Sequence, residues 1–363
     1  MKKILFVAPN LATGGGGAER QMVVLARELS YYNYKVDILC YSNGDYYSYL
    51  LKDSNVSVVW KIENNYLFRL FKVRNYIRNG KYDAVISFLH TANFLNNLSA
   101  IGGKSWKVIT GERSAKESTF NSRKGKIFAW FQRYSDAIVC NSNNAREMWE
   151  KHYPQYKEKL ITIYNIVTLP EITSEYIPRK NGKTHIIVAA SYQYIKNPIG
   201  LINALALLNN EERNKIKVDW YGKNDSSREI VYNEANKKIN EYHLTDIIEL
   251  HPVSDKIPEL YNKSDVVALF SSVEGLPNAI CEAMMIGKPI IMTKVSDYKV
   301  LVDESNGFLC DWDNVELIKE SIVAVSKIKE SSITQMGKNS KNKAKNLFAQ
   351  NVIINHWLSL IKN

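Results

Sequence analysis

The sequence has little cysteine and no long apolar run. Four cysteines occur among 363 residues, far apart from one another, at Cys40, Cys140, Cys281 and Cys310. This spacing argues against a disulfide framework or a cysteine metal site and is typical of small core residues in a reducing compartment. No run approaches the roughly 20 apolar residues that span a bilayer. The apolar start, MKKILFVAPN, is too short for a signal peptide and lacks a small-residue cleavage site, so we expect a first β-strand there.

The charge of the chain is unevenly distributed. Residues 1–166 hold 24 Lys+Arg against 13 Asp+Glu, a net +11, whereas residues 167–363 hold 24 of each. An anionic partner for the first half follows, either a membrane surface or a phosphorylated acceptor. Nucleic acid would also suit the charge, but the sequence contains no recognisable nucleic-acid-binding module, so we expect no nucleic-acid partner.

Strands and helices alternate in both halves, which predicts an α/β protein with parallel sheets. A chain of this length is expected to form two domains. We predict an N-terminal domain over 1–166, an exposed linker over 167–183, a second domain over 184–345 and a C-terminal helix over 346–363. Apolar runs of strand length occur at 4–9, 36–40, 56–60, 83–89, 107–110, 136–140, 160–164, 184–190, 217–221, 247–250, 265–270, 289–292 and 306–309.

The most informative stretch runs from Asp265 to Thr293 and reads as strand, loop, helix and strand. Glu274 lies in the loop and Glu282 on the helix. The start of this helix presents backbone N–H groups that attract anions, phosphate above all. An incidental pair of acids in a structural βαβ unit remains the alternative.

Glu274-Gly275-Leu276-Pro277-Asn278, followed by Glu282, resembles the E-x7-E signature of family 4 retaining glycosyltransferases. These have the GT-B fold, in which two Rossmann-like domains with parallel sheets face each other across a cleft. The resemblance implies that Glu274 contacts the donor sugar and that Glu282 binds the ribose hydroxyls. Catalytic roles would fall to Glu274, His90 and Lys196.

The loop 190–197 resembles the family loop in which an Arg and, five residues later, a Lys neutralise the donor diphosphate. Lys196 matches the Lys, but Ser191 stands at the Arg position. A lysine that belongs only to a helix-cap region is the alternative for Lys196. The resemblance assigns the donor to Gly16, Gly17, Ser191, Gln193, Gly222, His251, Pro252, Gly275, Leu276, Pro277, Asn278 and Glu282.

Thr13 to Arg20 contains four glycines and resembles the first loop of the family, although a flexible turn would give the same pattern. His90 follows a buried strand, at the end where open α/β sheets form their binding crevice. The acceptor is expected to contact Glu19, Glu112 and Arg113, with a loop ion pair as the alternative for the last two.

Two segments of the first half, 66–79 and 123–134, combine basic and aromatic residues. They suit an anionic bilayer, but the first equally suits a surface helix docked by Leu67, Leu70, Phe71 and Ile77. Asp311-Trp312-Asp313 looks like the metal motif of a different glycosyltransferase fold, yet its place before a helix favours capping. We therefore expect neither a metal nor a cofactor.

The resemblance implies a metal-independent hexosyl- or N-acetylhexosaminyltransferase. It would move a sugar, with retention, from a nucleoside-diphosphate sugar (UDP favoured) to a hydroxyl of a glycan or polyprenyl-diphosphate-linked sugar. A cytoplasmic location, peripheral on the inner membrane face, follows as an expectation. A sugar-nucleotide epimerase of the GT-B type and a non-catalytic nucleotide-sugar-binding protein remain alternatives, the second because of Ser191.

Overall fold

The structure is a computed structural model that describes residues 1–12, 17–113, 117–179 and 182–362. The chain divides into two compact units. Unit 1 contains Met1–Ile166 together with Gln350–Asn363, and unit 2 contains Val167–Ala349.

Seven strands in the described part of unit 1 form one parallel sheet, with both faces covered by helices. In the first strand, Ile4 and Phe6 are buried in one apolar cluster and Leu5 and Val7 in another, which explains the continuous apolar run. The strands are β1 (Lys2–Ala8), β2 (Tyr34–Cys40), β3 (Val56–Trp60), β4 (Ala84–Phe88), β5 (Lys107–Glu112), β6 (Ala137–Cys140) and β7 (Leu160–Thr162). The helices are α1 (Gly17–Ser30), α2 (Tyr66–Asn79), α3 (His90–Ala100), α4 (Glu117–Asn121), α5 (Arg123–Phe131) and α6 (Asn143–His152).

The strand order of this sheet is β3-β2-β1-β4-β5-β6-β7. The order reverses between β1 and β4, so the loops after these two strands diverge and leave a crevice at their carboxyl ends. His90, the first residue of α3, follows β4 after a single residue, Leu89, at the edge where this crevice lies.

Unit 2 repeats the architecture with six parallel strands in the order β10-β9-β8-β11-β12-β13. Here the order reverses between β8 and β11. The strands are β8 (Thr184–Ala189), β9 (Ile216–Gly222), β10 (Ile248–Pro252), β11 (Val266–Leu269), β12 (Ile290–Thr293) and β13 (Gly307–Cys310). The helices are α7 (Pro198–Ala206), α8 (Asn210–Asn214), α9 (Glu229–Glu241), α10 (Ile257–Lys263), α11 (Asn278–Ile286), α12 (Tyr298–Leu301), α13 (Val315–Lys327) and α14 (Glu330–Phe348).

The segment predicted to be an exposed linker is hydrogen bonded to the rest of unit 2 between residues 174 and 179. The Tyr176 hydroxyl donates to Asp265 at 2.9 Å, and the Arg179 guanidinium donates to the carbonyls that end α13. Beneath this segment, the Lys288 ammonium lies 3.3 Å from the centroid of the Tyr176 ring. Prolines and weak periodicity do not reveal such contacts, because they depend on side chains more than 80 residues away.

The last helix, α15 (Gln350–Lys362), packs into the core of unit 1. Its buried face joins the cluster that covers one side of the first sheet, and the Lys107 ammonium donates to the Leu360 carbonyl at 2.7 Å. The buried residues of this face are Ile353, Ile354, Trp357, Leu358 and Ile361.

Two smaller expectations are also decided by the structure. The four cysteines are buried and free. The cap of α13 is Asn314, whose side chain accepts from Leu317 N at 3.1 Å, and not one of the two aspartates before it. No helix of the described residues is long and apolar enough to cross a membrane.

Candidate functional site

The centre of the candidate site in unit 2 is a charged pair at the point where the strand order reverses. The Lys196 ammonium donates to Glu274 Oε1 at 2.5 Å, and the Ser271 hydroxyl donates to the same oxygen at 2.6 Å. The Glu274 side chain is only 12% exposed. Two residues singled out from separate motifs are therefore in direct contact, and both are held at the carboxyl edge of the sheet.

The Lys196 loop is shaped by its neighbours. Asn197 adopts a left-handed backbone with φ 63° and caps α7 by accepting from Gly200 N at 3.1 Å. The helix cap is therefore Asn197, whereas the ammonium of Lys196 pairs with Glu274. Ser272 N donates to the Ile195 carbonyl at 2.8 Å, which joins this loop to the loop after β11.

The turn after Glu274 leads directly into α11. The Ser296 hydroxyl donates to the Gly275 carbonyl, and Leu276 and Pro277 are buried. Pro277 precedes the helix and supplies no side-chain cap for it. A helix start of this kind, next to a lysine, is suited to an anionic group.

Glu282 lies on α11, half-buried, on the turn that follows Asn278. Burial raises the pKa of Tyr261 and of Cys281, and the negative charge of Glu282 raises both further. The two acids of the signature therefore have different surroundings. Glu274 lies in a loop beside Lys196, and Glu282 lies on a helix.

Gly222, at the end of β9, allows two loops to touch. A Cβ at this position would lie 2.3 Å from the Ala190 carbonyl oxygen, too close for any side chain. The neighbouring Tyr192 hydroxyl donates to the His251 carbonyl at 2.7 Å. Backbone groups therefore form this part of the edge, including the predicted residue Pro252 that ends β10.

The side chain of His251 belongs to a polar cluster on the sheet. Its Nε2 lies 3.1 Å from Asp219 Oδ1, and His185 Nε2 lies 2.6 Å from the other carboxylate oxygen. Burial raises the pKa of Asp219, but the two histidine hydrogen bonds outweigh it and leave the pKa below its ordinary value. One donor atom each of Asp219, His251 and Glu249 lie within 4.8 Å of one another. Two imidazoles thus contact Asp219, whereas Glu249 Oε1 lies 3.8 Å from Nδ1 of His251.

Gln193 marks a contact that the sequence analysis missed. In the amide orientation that satisfies its hydrogen bonds, its side-chain oxygen accepts from Nε and NH2 of Arg228, at 3.1 Å each. Arg228 directly precedes α9, after the loop from β9. The sequence signal that could have identified Arg228 is a basic residue in the loop that follows the carboxyl end of β9.

Unit 1 contains a cavity of about 590 Å³ at its own reversal point. Arg69 of α2 and Lys124 of α5 supply two cations to its wall, and several hydroxyl groups face the same space. The lining residues are Pro9, Tyr41, Ser42, Arg69, Leu89, His90, Thr91, Ser118, Thr119, Ser122, Lys124, Gly125 and Phe128.

His90 stands between this cavity and a buried carboxyl group. Its side chain is 42% exposed, and Nδ1 lies 3.8 Å from Glu112 Oε2. The other oxygen of Glu112 accepts from Asn93 and Gln132, at 2.9 Å each. Burial raises the pKa of Glu112 above its ordinary value, although His90 and these amides partly oppose the shift. Leu89, just before His90, has φ 78° and ψ 146°, a strained backbone for a residue with a side chain.

The other predicted acceptor residues of unit 1 differ in their surroundings. Arg113 donates to Asn165 Oδ1 at 2.7 Å and lies 3.8 Å over the Phe88 ring; burial lowers its pKa to about 10. Glu19 is in the first turn of α1, where burial raises its pKa. Gly17 begins α1, and Gly16 lies outside the described residues.

The residues that dock helix α2 differ in part from those predicted from the sequence. Val73 and Ile77 are its buried residues, whereas Leu67 and Phe71 are 65% and 64% exposed, so these two do not dock the helix. Arg74 is structural, because it donates to the carbonyls that end α3. Exposed apolar side chains therefore lie on both of the helices that contribute to the cavity wall, α2 and α5, namely Leu67, Phe68, Phe71, Ile127 and Trp130.

Two family models cover nearly the whole chain. The model described as Glycosyltransferase Family 4 matches residues 15–170. The model described as Glycosyl transferases group 1 matches residues 171–343.

Individual proteins show the same similarity. The amylovoran biosynthesis glycosyltransferase AmsD of Erwinia amylovora is 22% identical, over 99% of this chain and all of its own. An alpha-1,4-N-acetyl-D-galactosaminyltransferase of Campylobacter jejuni is 24% identical, over 99% of this chain and 98% of its own. Its name gives the acceptor as GalNAc-alpha-(1->4)-GalNAc-alpha-(1->3)-diNAcBac-PP-undecaprenol. The crystal structure of Anabaena Alr3699/HepE in complex with UDP and glucose superposes with a TM-score of 0.82 at 18% identity, over all of both chains.

Proposed function

The chain belongs to the family 4 glycosyltransferases with the GT-B fold, and from this premise we propose that it transfers a sugar from a UDP-sugar to a hydroxyl group with retention of the anomeric configuration. The observation that carries the proposal is the Lys196–Glu274 pair beside the start of α11, at the reversal point of the second sheet. A cation and a helix start suit the diphosphate, and a carboxylate within reach suits sugar hydroxyls.

In the proposed reaction the bond between the anomeric carbon and the diphosphate oxygen breaks, and its electron pair leaves with the diphosphate. The acceptor oxygen forms a bond to the same carbon, on the face from which the diphosphate leaves. The proton of the acceptor hydroxyl passes to the departing phosphate oxygen. Lys196 and the start of α11 stabilise the developing negative charge. Glu282 accepts hydrogen bonds from the ribose hydroxyls, and Glu274 positions the sugar. We propose that the reaction is metal-independent, with cationic groups of the protein and the helix start in the place of a metal ion.

The donor is proposed to be a UDP-sugar because the superposed Anabaena protein binds UDP and glucose. The transferred group is a hexose or an N-acetylhexosamine; the Campylobacter relative transfers the second kind.

The proposed acceptor is a glycan or a polyprenyl-diphosphate-linked sugar held in the cavity of unit 1. The cavity has cations in its wall and exposed apolar side chains on the flanking helices. An amphiphile with an anionic group and a hydrocarbon chain fits both features. We therefore place the protein at the inner face of the cytoplasmic membrane as a peripheral protein. His90 faces the cavity and is proposed to contact the reacting groups, with Glu112 orienting it.

A screen of UDP- and GDP-sugars with lipid-linked and soluble glycan acceptors tests the function. Wild-type protein is expected to transfer sugar from a UDP-sugar, and NMR of the product should show the donor's anomeric configuration. Glu274→Ala should lower kcat by about 100-fold, the size of loss typical of one preorganised electrostatic group. Glu304→Ala, which changes an exposed acid of the same unit, is the control and should retain activity.

Each alternative predicts a different outcome of this screen. Release of an isomerised sugar nucleotide without acceptor would identify an epimerase, and donor binding without turnover would identify a binding protein. Full activity in Glu274→Ala would show that the site has been assigned to the wrong residue.

A further inference from the structure

Unit 2 has an apparent shortage of positive charge where the donor diphosphate is proposed to bind. Ser191 stands at the position where the family resemblance predicts an arginine. The remaining cation, Lys196, already pairs with Glu274 at 2.5 Å. A diphosphate brings two or more negative charges into the site, and their stabilisation requires more than one lysine that is itself paired.

Arg228 lies close to the loop that lacks this arginine. It follows the loop from the carboxyl end of β9, and β9 is the direct neighbour of β8 in the sheet. Gln193, whose side-chain oxygen accepts from Nε and NH2 of Arg228, stands two residues after Ser191 and three before Lys196. The Lys223 carbonyl accepts from Tyr192 N at 3.4 Å, so the two loops are also joined through the backbone.

The guanidinium of Arg228 is fixed in orientation. NH1 donates to the Asp225 carboxylate and, at 3.1 Å, to the Ser227 hydroxyl. The Nε and NH2 edge is therefore turned toward Gln193, and the side chain is 15% exposed. The Nε and NH2 edge that donates to Gln193 can equally donate two parallel hydrogen bonds to phosphate oxygens, as arginine commonly does. Asp225 offsets the charge of Arg228 on the NH1 side, whereas Gln193 is uncharged and brings no opposing charge to the Nε and NH2 edge.

We propose that Arg228 supplies, from the β9 loop, the second cation for the donor diphosphate that Ser191 does not provide. In the free protein the Gln193 side chain occupies the Nε and NH2 edge of Arg228, and a phosphoryl oxygen of the donor replaces it on binding. The inference rests on the proposed function, because it takes a nucleoside diphosphate as the ligand. It adds a binding residue that the family motif does not contain.

Lys223 is the competing source of charge. It lies on the same loop, and its ammonium is 3.3 Å from Asp225, but its side chain is 49% exposed. A solvated, flexible ammonium orients a diphosphate less well than a guanidinium that is held on one side. Lys223→Gln therefore provides a direct comparison with Arg228→Gln.

Calorimetric titration with uridine, UMP and UDP tests the assignment. Wild-type protein should bind UDP more tightly than UMP. Arg228→Gln should lose roughly 10- to 100-fold in UDP affinity, the range for one charged hydrogen-bonded contact, while uridine affinity stays unchanged. Arg228→Lys should lose less. Arg213→Gln is the matched control, because in the described part of the chain Arg213 donates to backbone carbonyls near the end of α7. The uridine titration also shows whether each variant is folded.

A second variant separates charge from loop shape. Adding Ser191→Arg to Arg228→Gln restores an arginine at the family position and should recover most of the UDP affinity. No recovery would mean that Arg228 only shapes the loop, and would overturn the assignment. Loss of UDP affinity in Lys223→Gln but not in Arg228→Gln would overturn it as well. Wild-type protein that binds neither UDP nor GDP would instead overturn the proposed function itself, and this inference with it.

Discussion

At the scale of single residues, the structure turns separate motifs into contacts. Lys196 and Glu274 are 78 positions apart, and the sequence indicates each of them but not that they touch. Their contact follows from the pairing of β8 with β11, which brings two strand ends together. Arg113 shows the opposite outcome, because its partner is Asn165 and not an acid. A sequence pattern can identify a candidate functional side chain. The residue that this side chain contacts depends on the order of the strands in the sheet.

Glu112 provides a prediction about stability and pH. Its pKa is raised by burial, so between the ordinary value and the raised value the folded state binds more protons than the unfolded state. The free energy of unfolding therefore falls as pH rises through this window. Glu112→Gln keeps an oxygen for Asn93 and Gln132 but removes the charge. We expect its melting temperature to exceed that of wild type at pH 8 by about 2 °C or more, as expected for about 1 kcal/mol in a domain of this size.

The advantage of Glu112→Gln should shrink as the pH falls and disappear near about pH 3, well below the ordinary glutamate pKa, where the wild-type carboxyl group is protonated in both states. Glu147→Gln, at an exposed position of the same unit, is the control for the general effect of charge. A variant that is less stable than wild type at pH 8 would contradict the argument. If Glu112 also orients His90, transfer activity should fall in the same variant although its stability rises.

Lys288 provides a second prediction, with the opposite pH dependence. Its ammonium is buried, donates to the carbonyls of Asn262 and Ser264, and has a pKa lowered to about 7. Between about pH 7 and the ordinary lysine value, the unfolded state binds more protons. The free energy of unfolding should therefore rise with pH in this window, by at most about 1.4 kcal/mol per unit. Melting curves of Lys288→Met recorded at several pH values should lack this contribution to the increase of stability with pH.

The comparison of Lys288→Met with wild type isolates the lysine from the other groups that titrate in the same range. Lys338→Met changes an exposed lysine of the same unit and should follow wild type at every pH. A Lys288→Met variant whose stability follows wild type from pH 7 to pH 10 would show that the ammonium stays charged throughout.

At the scale of elements, most of the fold could be predicted and most of the surface could not. Every strand in the described residues overlaps an apolar run of the sequence, since strands buried on both faces are continuously apolar. The helix α2 has apolar residues on several sides, so its sequence did not reveal that Phe71 is exposed and Val73 buried. The helix α3 buries Asn93, Asn96 and Asn97 in a polar network. No local pattern predicts such burial, because the partners come from β4, β5 and the turn after α5.

The exposed faces of α2 and α5 lead to a prediction about membranes. Phe68 and Phe71 are 66% and 64% exposed, and each apolar ring buried in a bilayer contributes up to about 1.5–3 kcal/mol. Wild-type protein should float with vesicles that contain phosphatidylglycerol, and Phe68→Ser with Phe71→Ser should weaken binding by about tenfold or more. Tyr31→Ser with Tyr49→Ser, at exposed aromatics elsewhere in unit 1, is the matched control.

Charge can be tested on the same surface without disturbing the fold. Arg74 is unsuitable because it holds the end of α3. Lys124 and Lys126 are better choices, and their replacement by glutamine should weaken flotation most at low salt. Equal flotation of wild type and both variant pairs, or flotation of none of them, would remove the membrane assignment and leave the cavity as a site for a soluble acceptor.

At the scale of the whole molecule, the chain returns to its first unit after it has completed the second. The residues Gln350–Asn363 belong to unit 1, and the buried face of α15 fills the cluster on one side of the first sheet. Five large side chains at up to about 1.5–3 kcal/mol each contribute roughly 7–15 kcal/mol, as much as the whole net stability of a typical domain, about 5–15 kcal/mol. Truncation after Ala349 should therefore unfold unit 1 and leave unit 2 folded. Limited proteolysis should then yield a resistant fragment close to 167–349, whereas the full-length chain should protect both units.

Substitutions within α15 test whether the packing of its buried side chains, and not merely the presence of the segment, stabilises unit 1. Trp357→Ala removes the largest buried side chain of the helix and should cost about 3–5 kcal/mol, which exposes unit 1 to the protease at lower temperature than in wild type. Asn355→Ala, at an exposed position of the same helix, should change nothing. If the truncated chain still protects residues 1–166, then the first sheet is stable without α15. The packing of α15 would in that case add to the stability of unit 1 without being required for its folding.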